Sequence, residues 1–330
     1  MSLVAGREKA RGTALVGPTS APMRFRAPRL PMAVLAVLAA GCSSVQEPLP
    51  DAEQRLAGAE ALVRNGAMAQ ATEVLGQLAG EACPKRLRDR RDVARAQALI
   101  GTNQHWEAFV VLEPFADDYP HSELRPVVVE MLWDIGSTLA HSGGGFLFFW
   151  SDRRASRTAL EHLITRHPDT PRLADALRLL GDMAFEDENY ELAQERFREL
   201  MKERPESEWV KYARFRFAMS LFASLQGSDY DLDKMSQAAR ELRDFLRETT
   251  ENPELVGKAR DALTQLLDWQ AERHLKIAAF YRRVGNRPGE RLHLDVAASE
   301  EFESTSFHAR ALSERSDLIE AEAAARGGAP

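Results

Sequence analysis

The sequence is punctuated by a short motif of the form x-Pro-x-Ser/Thr, which recurs around Pro120, Pro168 and Pro205 and, in a weaker form, around Pro253. Proline lacks the N–H that a helix interior needs, and it pushes the preceding residue toward an extended conformation. Each motif therefore predicts a boundary between two helices. The Ser or Thr that follows two positions later is a good N-cap, so we expect it to cap the next helix.

Apolar and small residues recur at fixed distances before these prolines. The clearest copy runs from Leu177 to Pro205, and it has Gly181 and Ala193 where the tetratricopeptide (TPR) pattern has small residues. Phe197 occupies the place of a large residue in the same pattern. Small residues at these places let two helices cross closely. The sequence predicts an all-α fold, a right-handed solenoid of about five TPR-like helical hairpins over residues 51–325.

Two segments lengthen the spacing between the motifs. Residues 141–152 (HSGGGFLFFWSD) contain a glycine run followed by five large apolar residues, and residues 226–233 (QGSDYDLD) form a polar stretch. We interpret both as insertions between helices. A long helix is expected from Pro253 to about Val284, followed by a last helix pair and a frayed tail at 326–330.

The N-terminal segment has the composition of a secretory signal. Arg24, Arg26 and Arg29 precede an apolar run of eleven residues, 30–40, and small residues follow. Eleven apolar residues are too few to span a bilayer, so the pattern predicts a signal peptide at 1–41. Met23 is an alternative start of translation. The other interpretation is a buried helix that ends in Gly-Cys.

The end of this segment, Leu38-Ala39-Ala40-Gly41-Cys42, resembles the lipobox of bacterial lipoproteins. The resemblance implies cleavage before Cys42 and acylation of that cysteine, so the covalent lipid is the one prosthetic group expected. Residues 42–50 then form a short tether, and the acyl chains hold the domain on a bilayer. In enteric bacterial lipoproteins, an aspartate directly after the cysteine signals retention in the inner membrane. This chain has Ser43 at that position, which favours the periplasmic face of the bacterial outer membrane.

The order of signal, lipidated cysteine, tether and helical repeats resembles the BamD family, the lipoprotein subunit of the outer-membrane β-barrel assembly machinery. The clearest stretch runs from Asp229 to Glu320 and includes Ile277-Ala278-Ala279-Phe280-Tyr281-Arg282-Arg283-Val284-Gly285 and Arg291. The resemblance implies a scaffold that binds other envelope proteins, including unfolded barrel substrates, with Arg291 docking the barrel-forming subunit. The alternative is a TPR lipoprotein that serves another envelope process, such as cell-wall or division coordination. Arg291 is equally well explained as a solvated arginine on an amphipathic helix.

Charge argues against a nucleic-acid partner. Residues 1–41 hold six of the 43 basic and one of the 50 acidic residues. A chain without them carries 37 basic and 49 acidic residues, a net charge near −12. Such a chain has no overall electrostatic reason to prefer nucleic acid or anionic lipid headgroups.

No catalytic or metal-binding motif stands out. The sequence lacks a phosphate-binding glycine loop with Lys-Ser/Thr, a His-Glu-x-x-His motif and paired cysteines. Asp229, Asp231 and Asp233 suggest a calcium loop, but Lys234 and Arg240 replace its required glycine and glutamate. We therefore expect no metal site and no enzyme activity. Cys83 is interpreted as a small buried residue.

The aromatic segment at residues 146–150 admits two interpretations. Its side chains could enter a lipid surface or a groove of a partner. The plainer interpretation is that the segment folds back and covers the open groove of the solenoid, since buried aromatic residues are common in protein cores. The candidate partner-binding residues are Arg291, Phe146, Phe148, Phe149 and Trp150.

Overall fold

The computed structural model describes residues 49–141, 146–229 and 231–327, with the backbone alone at 146–151 and 326–327. Within these ranges every regular element is a helix, which confirms the all-α prediction. All of them belong to one compact unit, Gln46–Pro330. The proposed signal peptide, Cys42 and most of the tether lie outside the described residues.

Fourteen α-helices follow one another in this part of the chain, and they pack mainly against their neighbours in sequence. The pairs α1/α2, α3/α4, α6/α7, α8/α9, α10/α11 and α12/α13 form six helical hairpins, and α14 packs on α13. First helices of successive hairpins also touch, as α8 touches α10 and α10 touches α12. The bounds are α1 (Ala52–Arg64), α2 (Met68–Gln77), α3 (Arg88–Gly101), α4 (His105–Leu112), α5 (Phe115–Asp118), α6 (Arg125–His141), α7 (Phe146–Arg166), α8 (Leu173–Glu186), α9 (Tyr190–Glu203), α10 (Val210–Ala223), α11 (Leu232–Glu248), α12 (Pro253–Arg283), α13 (Arg287–Ala297) and α14 (His308–Gly327).

The hairpin of α8 and α9 shows why small residues recur in the repeat. The ring of Phe197 lies on Gly181, where a Cβ atom would stand 2.7 Å from the ring Cζ atom. Gly136 and Leu160 make the same contact in the preceding hairpin. Phe197 and Leu160 are fully buried. A glycine therefore lets the large side chain of the second helix reach the backbone of the first.

The three complete proline motifs, around Pro120, Pro168 and Pro205, form the same backbone turn. In each, the first residue accepts a hydrogen bond from the N–H of the Ser or Thr three positions on, as between Tyr119 and Ser122 at 3.1 Å. The prediction that these Ser and Thr residues are helix N-caps is wrong. Thr170 Oγ1 accepts from the N–H of Arg172, and helix α8 begins only at Leu173. Two further turn residues separate the hydroxyl from the helix, so the hydroxyl stabilises the turn instead.

A proline is not required for this turn. Phe302-Glu303-Ser304-Thr305 has Glu303 in the proline position, yet the N–H of Thr305 donates to the carbonyl of Phe302 at 2.9 Å. The turn then leads into α14 as its counterparts lead into α8 and α10. Burial of Phe302, which is 3% exposed, keeps this segment in place without the proline.

The aromatic segment is helical rather than part of a loop. Helix α6 continues to His141 and α7 begins at Phe146, so the first five residues of α7 are the aromatic segment. Phe, Leu and Trp are all compatible with a helix, whereas consecutive glycines disfavour one. The insertion between the two helices is therefore limited to residues 142–145, which lie outside the described residues.

Helix α12 has the start and end that its sequence predicts. Asn252 caps it by accepting from the N–H of Leu255, and Pro253 occupies the first turn, where its missing N–H costs nothing. The helix ends at Arg283, and Gly285 follows with a φ of 74°. That left-handed conformation suits glycine and closes the helix. No helix in the described ranges is both long and apolar enough to cross a membrane.

Burial of a histidine in one proline turn makes stability depend on pH. His167 is 6% exposed, and burial lowers the pKa of its ring from 6.5 to about 4, with smaller contributions from Arg125, His162 and Arg166. Between pH 6.5 and 4 the unfolded chain binds this proton more tightly than the folded one. Stability should therefore fall as the pH is lowered through that range, by about 2 kcal/mol for this ring between pH 7 and 5. Urea unfolding at the two pH values measures the loss.

The variant His167→Phe should reduce this pH dependence, because its ring cannot be protonated. His121, an exposed histidine in the preceding proline turn, provides the matched control. His121→Phe should leave the pH dependence as it is in the parent chain. An equal pH dependence in the parent and in His167→Phe would refute the assignment.

Candidate partner-binding surface

Two helices carry matching stripes of polar and aromatic residues that face each other. On α8 and its N-cap, charged residues of alternating sign occur at spacings of three, three and four, which places them on one side of a helix. On α10 and its N-cap, aromatic residues and an arginine have the same periodicity. We call this set the α8–α10 ladder; it comprises Arg172, Asp175, Arg178, Asp182 and Phe185 with Trp209, Tyr212 and Arg216.

Asp182 is the centre of the ladder. Its carboxylate lies 2.9 Å from Nε of Arg216 and 3.1 Å from Nη1 of Arg178, and the hydroxyl of Tyr212 donates to it at 2.7 Å. The Asp182 side chain is 13% exposed. Two cations and a hydroxyl therefore converge on one largely buried carboxylate and join the first helices of two hairpins.

Aromatic rings also contact the guanidinium groups of Arg178 and Arg216, the two arginines that pair with Asp182. The Arg178 guanidinium lies 4.4 Å from the ring centre of Trp209, and that of Arg216 lies 4.0 Å from the ring centre of Phe185. The Trp209 indole N–H in turn donates to Asp175 at 2.8 Å. Stacking on aromatic faces adds to ion pairing, so these side chains are held in one orientation.

The ladder continues to the preceding hairpin. Arg172 forms an ion pair with Glu130 of α6 at 2.6 Å and lies 5.7 Å from the ring centre of Trp133. The same guanidinium is 3.4 Å from Asp175. One connected set of side chains therefore spans α6, α8 and α10.

Burial dominates the electrostatics at the centre. Burial raises the pKa of the Asp182 carboxyl, although Arg216, Tyr212 and Arg178 each act to lower it. Burial also raises the pKa of the Tyr212 hydroxyl, and the Asp182 charge acts in the same direction. Tyr212 therefore stays protonated and donates to Asp182 at physiological pH.

A groove lies beside the ladder, between α8, α10 and α12. Its cavity of about 310 Å³ is lined on the apolar side by Phe185, Met219 and Leu255. Arg216 and Lys258 contribute cations to the same lining. An apolar recess with cations beside it can accept an apolar side chain next to an acidic group of another chain.

The residues singled out from the sequence lie elsewhere. Gly181 and Phe197 form the interior of one hairpin, with Ala193 buried beside them, and Pro120, Pro168 and Pro205 stand in the turns. The backbones of Phe146, Phe148, Phe149 and Trp150 form the start of α7, and their side chains lie outside the description. Cys42 is not described.

Arg291 is far along the chain from the ladder, on α13. Its Nη1 atom lies 3.0 Å from Glu322 of α14 and its Nε atom 3.8 Å from Asp295. The side chain is 47% exposed. Arg291 therefore joins the last two helices and still presents part of its guanidinium to solvent.

The sequence does contain a signal for the ladder, although sequence reasoning missed it. Arg178 and Asp182 are opposite charges four positions apart, and Tyr212 and Arg216 have the same spacing on the next first helix. Such pairs usually mark solvated faces. Here the two sets of side chains lie on facing sides of α8 and α10, so Tyr212 and Arg216 contact Asp182 instead of solvent.

A family model matches this region of the chain. Residues 148–287 match the model of a family, YfiO, described as an outer membrane lipoprotein. The match begins in α7 and ends at the first residue of α13, so it includes α8, α10 and the groove.

One solved structure to which the chain is similar is the C-terminal part of a TPR repeat-containing protein from Cytophaga hutchinsonii. It is 14% identical to this chain, with a TM-score of 0.24, and the match covers 78% of this chain and 99% of that one. No curated protein matches the chain significantly.

Proposed function

We propose that this protein is a lipid-anchored scaffold of the bacterial envelope, held by Cys42 on the periplasmic face of the outer membrane, that binds other proteins. In its finer form, the proposal assigns it to a machinery of the BamD type, where its partners include a barrel-forming subunit and unfolded barrel proteins. No catalytic residue is part of the proposal.

The observation that carries the proposal is the groove beside the α8–α10 ladder. Its walls are side chains held by ion pairs and ring contacts, such as Arg216 between Asp182 and Phe185. A preorganised surface loses little side-chain freedom when a partner binds. The groove falls within residues 148–287, which match an outer membrane lipoprotein family.

Two further surfaces are proposed as partner contacts. Arg291 has a half-exposed side chain at the C-terminal end of the array, where a carboxylate of a partner can reach it. Phe146, Phe148, Phe149 and Trp150 lie at the start of α7, directly after the gap at residues 142–145. Aromatic residues of this kind are enriched where proteins bind each other.

The test is a pull-down of the lipidated chain from its native envelope in mild detergent. We expect it to recover a large outer-membrane β-barrel protein, detected by mass spectrometry. Arg291→Glu should reduce the recovery at least about tenfold, because it places a negative charge where a partner carboxylate is expected. Arg247→Glu, a charge reversal at a 71% exposed arginine on α11, is the matched control and should leave recovery unchanged.

The same experiment separates the two envelope functions. Recovery of cell-wall or division proteins, indifferent to Arg291→Glu, would support the alternative scaffold and refute the BamD-type proposal. Fractionation of a Cys42→Ser variant completes the test. A chain that stays in the outer membrane without the cysteine would contradict the lipid anchor.

A further inference from the structure

Leu49, the first residue that the structure describes, is hydrogen-bonded to a segment that is rich in basic residues, 81–95. The N–H of Leu49 donates to the carbonyl of Ala82 at 3.0 Å, and Leu49 packs against the buried residues of α1, α2 and α3. Cys42 is seven positions upstream, so a fully extended chain places it no more than about 25 Å from Leu49. If Cys42 carries the lipid anchor, as the proposed function has it, this short connection keeps the surface around Ala82 near the bilayer.

The segment that follows Ala82 has a charge opposite to that of the whole domain. Residues 81–95 contain six basic and three acidic side chains, whereas the chain from Cys42 onward is strongly acidic. The basic residues are Lys85, Arg86, Arg88, Arg90, Arg91 and Arg95, and the acidic ones are Glu81, Asp89 and Asp92.

Hydrogen bonds hold several of these cations close to Ala82, the residue that binds the N–H of Leu49. Arg88 donates to the carbonyl of Cys83 at 3.1 Å, and Arg91 donates to the carbonyls of Leu78 and Gly80. Arg95 lies on the same face of α3, since residues 88, 91 and 95 are separated by three and four positions. All three arginines line a cavity of about 410 Å³, together with the acidic residues Glu81, Asp92 and Asp118.

Not all of this charge is neutralised within the chain. Arg86 pairs with Glu53, Arg88 with Glu81, and Arg91 with Asp92. Lys85 and Arg95 are exposed and have no ion pair with any residue that the structure describes. They are therefore available to an anionic group outside the chain.

We propose that this basic surface, formed by Lys85, Arg86, Arg88, Arg91 and Arg95, lies against anionic phospholipid headgroups of the bilayer that holds the lipid anchor. Two features identify the partner: the positive charge of the surface and the short chain that ties it to a membrane-bound cysteine. Each basic side chain near an anionic bilayer strengthens binding by about fivefold. Together with the anchor, this contact would hold the domain in one orientation on the bilayer.

The experiment uses the chain from Ser43 onward, which lacks the lipid but retains the whole compact unit Gln46–Pro330. Co-sedimentation with vesicles of phosphatidylcholine, with and without phosphatidylglycerol, measures binding at low salt. We expect binding that requires phosphatidylglycerol and weakens at high salt. The double variant Lys85→Glu/Arg95→Glu should weaken it at least about tenfold.

The matched control is Lys202→Glu/Arg247→Glu, which changes the net charge equally at two exposed positions of α9 and α11. It should retain binding within about twofold. No binding of the parent chain, or an equal loss in both double variants, would overturn the proposal. Because this assay needs neither the lipid nor a protein partner, its failure would leave the pull-down result intact, and the reverse also holds.

Discussion

Phe197→Ala is expected to lower the free energy of unfolding by about 3–5 kcal/mol, among the largest effects of any single substitution in this chain. The Phe197 side chain is fully buried, and its ring fills the space over Gly181 where α8 and α9 cross. Alanine would leave a cavity that the glycine backbone cannot fill. Urea denaturation followed by circular dichroism measures the change.

Two companion variants show whether the effect comes from this contact. Phe280→Ala removes the same side chain at a position that is 51% exposed, and it should cost less than about 1 kcal/mol. Gly181→Ala should destabilise the parent chain, because its Cβ would stand 2.7 Å from the Phe197 ring. In the Phe197→Ala background, where the ring is absent, the same change should cost much less. Equal costs in both backgrounds would contradict the crossing geometry.

Asp182→Ala is expected to destabilise the protein by about 3 kcal/mol and to loosen the groove. The substitution leaves the guanidinium groups of Arg178 and Arg216 without their shared carboxylate in a largely buried site. Removing one partner of such a cluster is costly, because the side chains of Arg178 and Arg216 are only 21% and 16% exposed and solvent replaces the carboxylate poorly. Thermal and urea unfolding measure the stability, and a shift in tryptophan fluorescence is expected because Trp209, one of five tryptophans, stacks with Arg178.

The comparison for this prediction is Asp244→Ala. Asp244 pairs with Arg247 on α11, but both side chains are well exposed, at 44% and 71%. Exposed pairs of this kind contribute little, so we expect no measurable change in stability. Similar losses for the two aspartates would mean that the Asp182 cluster is no more than a surface ion pair.

Partner binding should respond to the same substitution. If the groove binds a partner protein, Asp182→Ala should weaken capture of that partner in the pull-down even at temperatures where the variant is fully folded. The reason is that Arg216, which lines the groove, then lacks one of the groups that orient it.

Local features of this fold were predictable because their causes are local. A proline two positions before a Ser or Thr forms a turn in each of its three described copies, as at Pro168 and Thr170, and Asn252-Pro253 marks a helix start. Gly181 and Phe197 belong to neighbouring helices of one hairpin, so the repeat spacing brings them together. The same logic misplaced the Phe146–Trp150 segment, because its glycine neighbours suggested a longer loop than the chain forms.

The functional surfaces depend on contacts that no spacing specifies. Whether Arg178 and Asp182 form a solvated pair or the centre of a network depends on the rotation of α8 relative to α10. The tie between Leu49 and Ala82, on which the proposed membrane contact of the basic surface depends, joins residues 33 positions apart. By itself the sequence determined the helices, their turns and the close crossing within each hairpin, since these follow from backbone geometry and side-chain size. Only the tertiary structure decided which charges face each other, because that depends on how successive hairpins pack.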